Sequence, residues 1–220
     1  MEIHMTRVIC LLIGYAFGIF QTGYFYGRSK GIDIRTKGSG NAGTTNTLRT
    51  LGLKAGMITM AGDVGKAILA ILLTWLCFHR SCPELFPLLK IWTAAGVVLG
   101  HDFPFYMNFK GGKGIAATAG TVIAFGDPRL IVLCGALFLI VFFTVHYVSL
   151  GSILLSSGFL IGMIVLGQLG AYPMTQARLT EMYLVQGFFT FLAIYRHRTN
   201  IRRLLSGTER KTYLTRKSDC

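Results

Sequence analysis

Charge is scarce in this sequence. Only 14% of its 220 residues are Asp, Glu, Lys or Arg, against roughly 25% in soluble domains. From Leu130 to Ala177 there is none at all over 48 residues. One membrane-crossing helix needs about 20 apolar residues, so that run is long enough for two crossings and a turn. The shortage excludes an ordinary water-facing surface. Acids are scarcer still, with nine Asp and Glu against 22 Lys and Arg and a net charge of +13. In a soluble protein such an excess would point to nucleic acid. Here no soluble module exists to carry that role, so no nucleic-acid partner is expected. The cations are read as loops that face anionic headgroups, or as ligands for an anionic substrate.

Other absences narrow the chemistry. Five cysteines, Cys10, Cys77, Cys82, Cys134 and Cys220, form no CxxC pair, which argues for inert thiols. Only Cys77 and Cys82 are placed to meet in an oxidising compartment. There is no Walker A spacing, no cluster with metal-ligand spacing and no cofactor motif. No histidine is followed by Asp in an H-x4-D pattern. No internal repeat, low-complexity tract or separate soluble domain is visible, so residues 1–220 read as one domain.

What is present is apolar: 52% hydrophobic residues and a mean hydropathy of +0.55. The pattern predicts an all-α polytopic membrane bundle of about seven transmembrane helices, over 7–27, 55–78, 88–107, 113–126, 129–148, 152–169 and 178–196. The first is too long for a signal-peptide core and is read as a retained span. Residues 28–54 hold six Lys/Arg and one acid, and the tail from Arg196 holds eight and two. By the positive-inside rule the N-terminus lies outside and the C-terminus in the cytoplasm. Asp63 and Lys66 fall inside the second span, where each charge costs roughly 2.5–3.5 kcal/mol to insert. An i,i+3 pair facing the bundle interior is expected.

Three polar stretches interrupt the apolar text. The first, "KGSGNAGTTNTLRTLG" (37–52), combines glycines that bring backbone N–H groups close to an anion with the neutral donors of Ser39, Asn41, Thr44, Thr45 and Asn46. Arg49 adds a forked cation suited to phosphate. A flexible capped loop is the plain alternative. The second, "GHDFPFYMNFKGGKGIA" (100–116), sets Lys110, Gly111, Gly112, Lys113 and Gly114 before an apolar helix, an arrangement that favours an anion. Lysines that merely anchor topology are the alternative there. His101 and Asp102 are read as a satisfied interfacial pair. In the third, "YRHRTNIRRLLSGTERK" (195–211), His197 and Asn200 share a face if the helix continues, and Glu209 is read as an organising ion-pair partner. Ser149 and Ser152, in the turn before the sixth span, lie on the same membrane side as the other clusters.

Together these stretches resemble the bacterial membrane-embedded glycerol-3-phosphate acyltransferases that use acyl phosphate, the PlsY family. The matching residues are "GSGNAGTTNTLRTLG", "GHDFPFYMNFKGGKGIA" and "HRTNIRRLLSGTERK", in order and over nearly the whole chain; "GIDIRTKGSGN" and "YVSLGS" fit as well. Ala42 and Thr44 depart from the usual proline and alanine. The resemblance implies transfer of a fatty acyl group from acyl phosphate to the 1-hydroxyl of sn-glycerol 3-phosphate, giving lysophosphatidic acid and inorganic phosphate. It implies catalytic roles for Ser39, Arg49, His197 and Asn200. It implies substrate and phosphate binding by Gly38, Gly40, Asn41, Thr45, Asn46, the Lys110–Gly114 turn, Ser149 and Ser152. The setting it implies is the bacterial cytoplasmic (inner) membrane, with membrane lipid as a partner and the site facing the cytoplasm. The residues alone leave open an anion carrier, although carriers tend to show inverted repeats.

Overall fold

The computed structural model describes residues 3–213, so Cys220 and the last tail charges lie outside the described residues. Within that range the protein is all-α. Ten α-helices follow one another: α1 Ile3–Gly18, α2 Thr22–Ser29, α3 Thr44–Leu51, α4 Leu53–Phe78, α5 Phe86–Asp102, α6 Ile115–Phe125, α7 Pro128–Thr144, α8 Val148–Gln168, α9 Gln176–Arg196 and α10 Arg198–Leu205. Each of the seven expected segments is helical, with shifted ends. Among the described residues, three stretches are long and apolar enough to cross a membrane: the α1–α2 stretch from His4, α4 and α8. α6 has 11 residues, about 16 Å at 1.5 Å per residue, roughly half the hydrocarbon thickness.

The structure departs from the expected helices in three places. The first span breaks between Gly18 and Thr22. The third span ends at Asp102 rather than running on to residue 107, because Pro104 disfavours helix at the residue before it; a 3₁₀ turn, Phe105–Met107, follows. The stretch expected as a loop after residue 43 contains α3. Its Leu48 packs on Gly56 of α4, where a Cβ would stand 2.7 Å from the Leu48 Cβ. Tertiary packing therefore overrides a sequence of threonines and asparagines with weak helix propensity.

The tightest seam joins α1 to α5. Gly14 and Gly18 lie one turn apart on α1, and Gly96 and Gly100 on α5. A Cβ at Gly14 would fall 2.0 Å from Thr93 O, and one at Gly96 2.0 Å from Leu11 O. These paired small-xxx-small faces let two backbones touch, the usual route to helix association where lipid gives no hydrophobic drive. Beyond this seam, Arg7 of α1 pairs with Glu181 of α9 at 2.5 Å, and the Trp92 indole of α5 donates to the same carboxylate at 2.8 Å. A second core gathers Leu88, Val122, Leu130, Phe159, Met163 and Met182 from α5 to α9. Cys77 and Cys82 are both free. α6 touches both α4 and α7, while α4 and α7 make no substantial contact with each other. That leaves a cleft between them with α6 as its floor.

Candidate active site

The cleft widens at one end into a cavity of about 1150 Å³. All the expected site residues line it except Gly112. Seven Lys or Arg and three Asp or Glu contribute to its wall, so it is cationic. Its other arm is apolar, with Val64 from α4, Ala119 and Ile123 from α6, and Gly135, Phe138 and Leu139 from α7.

The first polar stretch is shaped by Asn46. Its side chain is buried; Oδ1 accepts the Ser39 N–H at 2.7 Å, and Nδ2 donates to Ile34 O at 3.1 Å and Lys37 O at 3.0 Å. Its polar atoms are thus spent on folding the loop over α3 rather than held free for a ligand. Gly38, at φ 61°, is required twice over, since a Cβ there would stand 2.2 Å from Asn46 Oδ1. Asn41 Oδ1 accepts the Gly43 N–H at 2.9 Å. The loop delivers Ser39 to the cavity with its hydroxyl unbonded among the described residues. It also delivers the N-terminus of α3, whose N-cap, Gly43, makes no side-chain cap. The first-turn N–H groups of a helix have no intrahelical acceptor, so those of Thr44, Thr45 and Asn46 face outward as donors.

The second stretch ends in a matching uncapped start, that of α6, with Gly114 in the left-handed region at φ 71°. The Gly111 and Gly112 N–H groups do not point at a ligand. They donate to Asp102 O and His101 O, each at 3.0 Å. Arg196 grips the same two residues from the far side, its Nη2 donating to Gly112 O at 2.5 Å and Gly111 O at 3.3 Å. The expectation of an open glycine cradle is corrected here. The turn is a backbone clamp, and what it presents to the cavity is the α6 N-terminus, Lys110 and Lys113. His101 and Asp102 do not pair with each other. Both are buried; His101 meets Lys66, and Asp102 lies 3.7 Å from Arg196. Asp63 and Lys66 do form the expected pair, at 3.0 Å inside the bundle.

The third stretch closes the cavity. The helix breaks at His197, which ends α9 and precedes α10, yet His197 and Asn200 both reach the cavity. His197 Nδ1 lies 2.7 Å from Ala193 O. A carbonyl only accepts, so Nδ1 carries the proton and Nε2 holds the lone pair. Burial, then Lys113, lower the His197 pKa to about 4, so the ring is neutral near pH 7. Lys113 donates to Asn200 Oδ1; burial brings its pKa down to about 8, while Glu209 pulls it back up. Asn200 Nδ2 donates to Glu209 Oε1 at 2.7 Å, Ser149 Oγ donates to the same oxygen at 2.8 Å, and Arg203 Nε donates to Oε2 at 2.7 Å. Burial alone would raise the Glu209 pKa; these bonds outweigh it and hold it below the ordinary value. Glu209 is the organising anion the sequence implied. Ser152 spends its hydroxyl on Val148 O at 2.7 Å. Arg49 donates to Arg210 O at 2.9 Å and Thr212 Oγ1 at 2.5 Å, so the tail crosses to α3. Sequence reasoning missed Arg196 as the clamp on the glycine turn and Thr212 as the partner of Arg49.

A family model described as glycerol-3-phosphate acyltransferase matches residues 8–207. The chain belongs to the glycerol-3-phosphate acyltransferase family. Among curated relatives, the glycerol-3-phosphate acyltransferase of Clostridioides difficile (strain 630) is 40% identical, covering 96% of this chain and 97% of that one. The enzyme of Bacillus subtilis (strain 168) is 38% identical over 94% and 98%. A crystal structure of PlsY, an integral membrane glycerol 3-phosphate acyltransferase in its glycerol 3-phosphate form, superposes with a TM-score of 0.79 at 31% identity, covering 94% of this chain and 96% of that one. A lysophosphatidic acid form of PlsY gives 0.77. Membership of the glycerol-3-phosphate acyltransferase family places the chain among the membrane acyltransferases of phospholipid synthesis. It accounts for an all-helical integral membrane bundle with a cationic cavity.

Proposed function

We propose that the protein transfers a fatty acyl group from acyl phosphate to the 1-hydroxyl of sn-glycerol 3-phosphate. The hydroxyl oxygen attacks the acyl carbonyl carbon, the carbon–oxygen bond to phosphate breaks, and lysophosphatidic acid and inorganic phosphate are the products. One observation carries this reading: a single cavity joins a cationic end with two uncapped helix N-termini to an apolar arm that opens between α4 and α7. Two phosphates and one acyl chain fit that division. The donor is already activated, so positioning and charge stabilisation suffice for the chemistry.

Ser39 and the α3 N–H groups hold the acyl phosphate in this scheme, and Arg49, Lys110 and Lys113 neutralise phosphates. Asn200, held by Glu209, and the neutral His197 orient glycerol phosphate. His197 Nε2 and the departing phosphate are the two acceptors on hand for the hydroxyl proton. The excess of Lys and Arg in the loops supports a cavity that faces the cytoplasm at the bacterial inner membrane, with the N-terminus outside.

The test is phosphate release from palmitoyl phosphate by the purified protein. Release that depends on glycerol 3-phosphate is the expected result. Comparable turnover with palmitoyl-CoA would remove the acyl-phosphate assignment, and binding without turnover would favour a carrier.

A further inference from the structure

Lys66 does more than neutralise Asp63. Its Nζ stands 2.7 Å from Phe20 O, 3.2 Å from Gly18 O, 3.0 Å from Asp63 Oδ1 and 2.8 Å from His101 Nδ1. The first two are carbonyls at the break between α1 and α2, and they can only accept. A carboxylate beside them favours the charged ammonium, which has three donors and no acceptor. An ammonium offers no lone pair, so at 2.8 Å His101 Nδ1 accepts from Lys66, with Gly18 O, the longest of the four contacts, sharing one of the three protons; a neutral ring that accepts at Nδ1 carries its proton on Nε2. Around the ring, Asp63 Oδ1 lies 3.8 Å from Nδ1, beyond hydrogen-bond distance and closer to Lys66 at 3.0 Å; Arg196 approaches from α9 through Asp102, and the His101 carbonyl accepts from Gln21 Nε2 at 2.9 Å.

Nε2 is the atom that matters to the site. A Cβ on Gly112 would lie 1.9 Å from it, so residue 112 is glycine because the ring edge occupies that space. The same histidine's carbonyl takes the Gly112 N–H. His101 and Lys113 both line the cavity. We infer that Lys66 is a positioning residue for acyl transfer: it fixes His101 as the Nε2–H tautomer, which sets the Gly111–Gly112 turn and gives the phosphate end of the cavity a neutral donor. This deepens the functional reading above and rests on it.

The first test needs no variant. In protein carrying ¹⁵N-histidine, the His101 ring signals, identified by their loss in His101→Gln, should show the neutral Nε2–H form. An Nδ1–H ring or an imidazolium overturns the inference, whatever the enzyme assay gives. The second test uses Asp63→Asn/Lys66→Met, which keeps the bundle's charge balance. If its melting temperature matches the parent, the KM for glycerol 3-phosphate should rise about tenfold or more, with a smaller change for acyl phosphate, and the His101 signals should move off the pure Nε2–H position. A folded double variant with parental KM and an unchanged ring spectrum overturns the positioning role. If the variant does not fold, the ring spectrum of the parent decides alone. Absence of any acyl-phosphate turnover by the parent would defeat the functional reading and leave the tautomer result standing separately.

Discussion

At the scale of single residues, charge and burial divide the site's labour. Arg49 faces the cavity from α3 while its guanidinium reaches Arg210 O and Thr212 Oγ1. A cation that grips phosphate equally in ground and transition states appears in KM. Arg49→Ala should therefore raise KM for a phosphorylated substrate roughly ten- to a hundredfold. Arg49→Lys should not restore it fully, since a point charge lacks the fork. Ser39→Ala should act mainly on kcat, because in the proposed scheme its unbonded hydroxyl lies at the acyl phosphate, where charge develops. Melting temperatures measured alongside must stay near parental for both readings to hold. The titrating groups give a separate test. Lys113 is held down to about 8, so it loses its proton, and its attraction for phosphate, as pH rises through that value. The profile of kcat/KM, which reports the free enzyme, should fall above about pH 8, and Lys113→Arg should remove that limb. His197, lowered to about 4, stays neutral down to that value and should contribute no acid limb between pH 5 and 7.

At the scale of elements, what was legible in the sequence depended on how far apart the partners lie. Long apolar runs announce helices by themselves, and clusters such as Lys110–Gly114 or Tyr195–Lys211 announce chemistry because their residues are neighbours. The seam of Gly14 and Gly18 against Gly96 and Gly100 was not legible, since each half is an ordinary glycine pair until the other is seen. The same holds for Arg196 on the glycine turn and Lys66 on His101. Asn46 was legible as polar but not as a loop clamp, because its partners are backbone groups, the Ser39 N–H and the carbonyls of Ile34 and Lys37. α3 was hidden because its helix depends on packing at Gly56 rather than on propensity. The seam yields a prediction at this scale. Gly96→Leu places a side chain where Leu11 O stands 2.0 Å from the Cβ, and backbone cannot yield as a flexible side chain does. The variant should lose thermal stability in detergent strongly, whereas Gly135→Ala, with open space around its Cβ, should melt as the parent does. Equal melting of the two would show that α1 and α5 do not meet as described.

At the scale of the whole molecule, the cleft between α4 and α7 ties architecture to specificity. α6 is too short to fill the space between its two neighbours, and its cavity-facing residues include Ala116 and Ala119. The gap that results leads from the cationic end, past Leu155 of α8, to Ile123, Gly135 and Leu139. α7 runs from Pro128 to Thr144, so Gly135 lies about nine residues, roughly 14 Å along the axis, from the end nearest Ser149. An acyl chain held at its phosphate by Ser39 and Lys113 would extend down this gap, and the missing side chain at 135 leaves room for its far part. A Cβ there meets nothing within 4 Å, so a leucine enters space that the fold leaves open at its root. Gly135→Leu should therefore keep the melting temperature and the turnover of a short acyl phosphate such as octanoyl phosphate. Its kcat/KM for palmitoyl phosphate should fall about tenfold or more, the effect of refusing a few buried methylenes at roughly 0.8 kcal/mol each. The KM for glycerol 3-phosphate, bound at the other end, should not move. No loss with either octanoyl or palmitoyl phosphate would mean that the chain leaves the cleft before it reaches α7's midpoint, and that the bilayer rather than the protein houses its end.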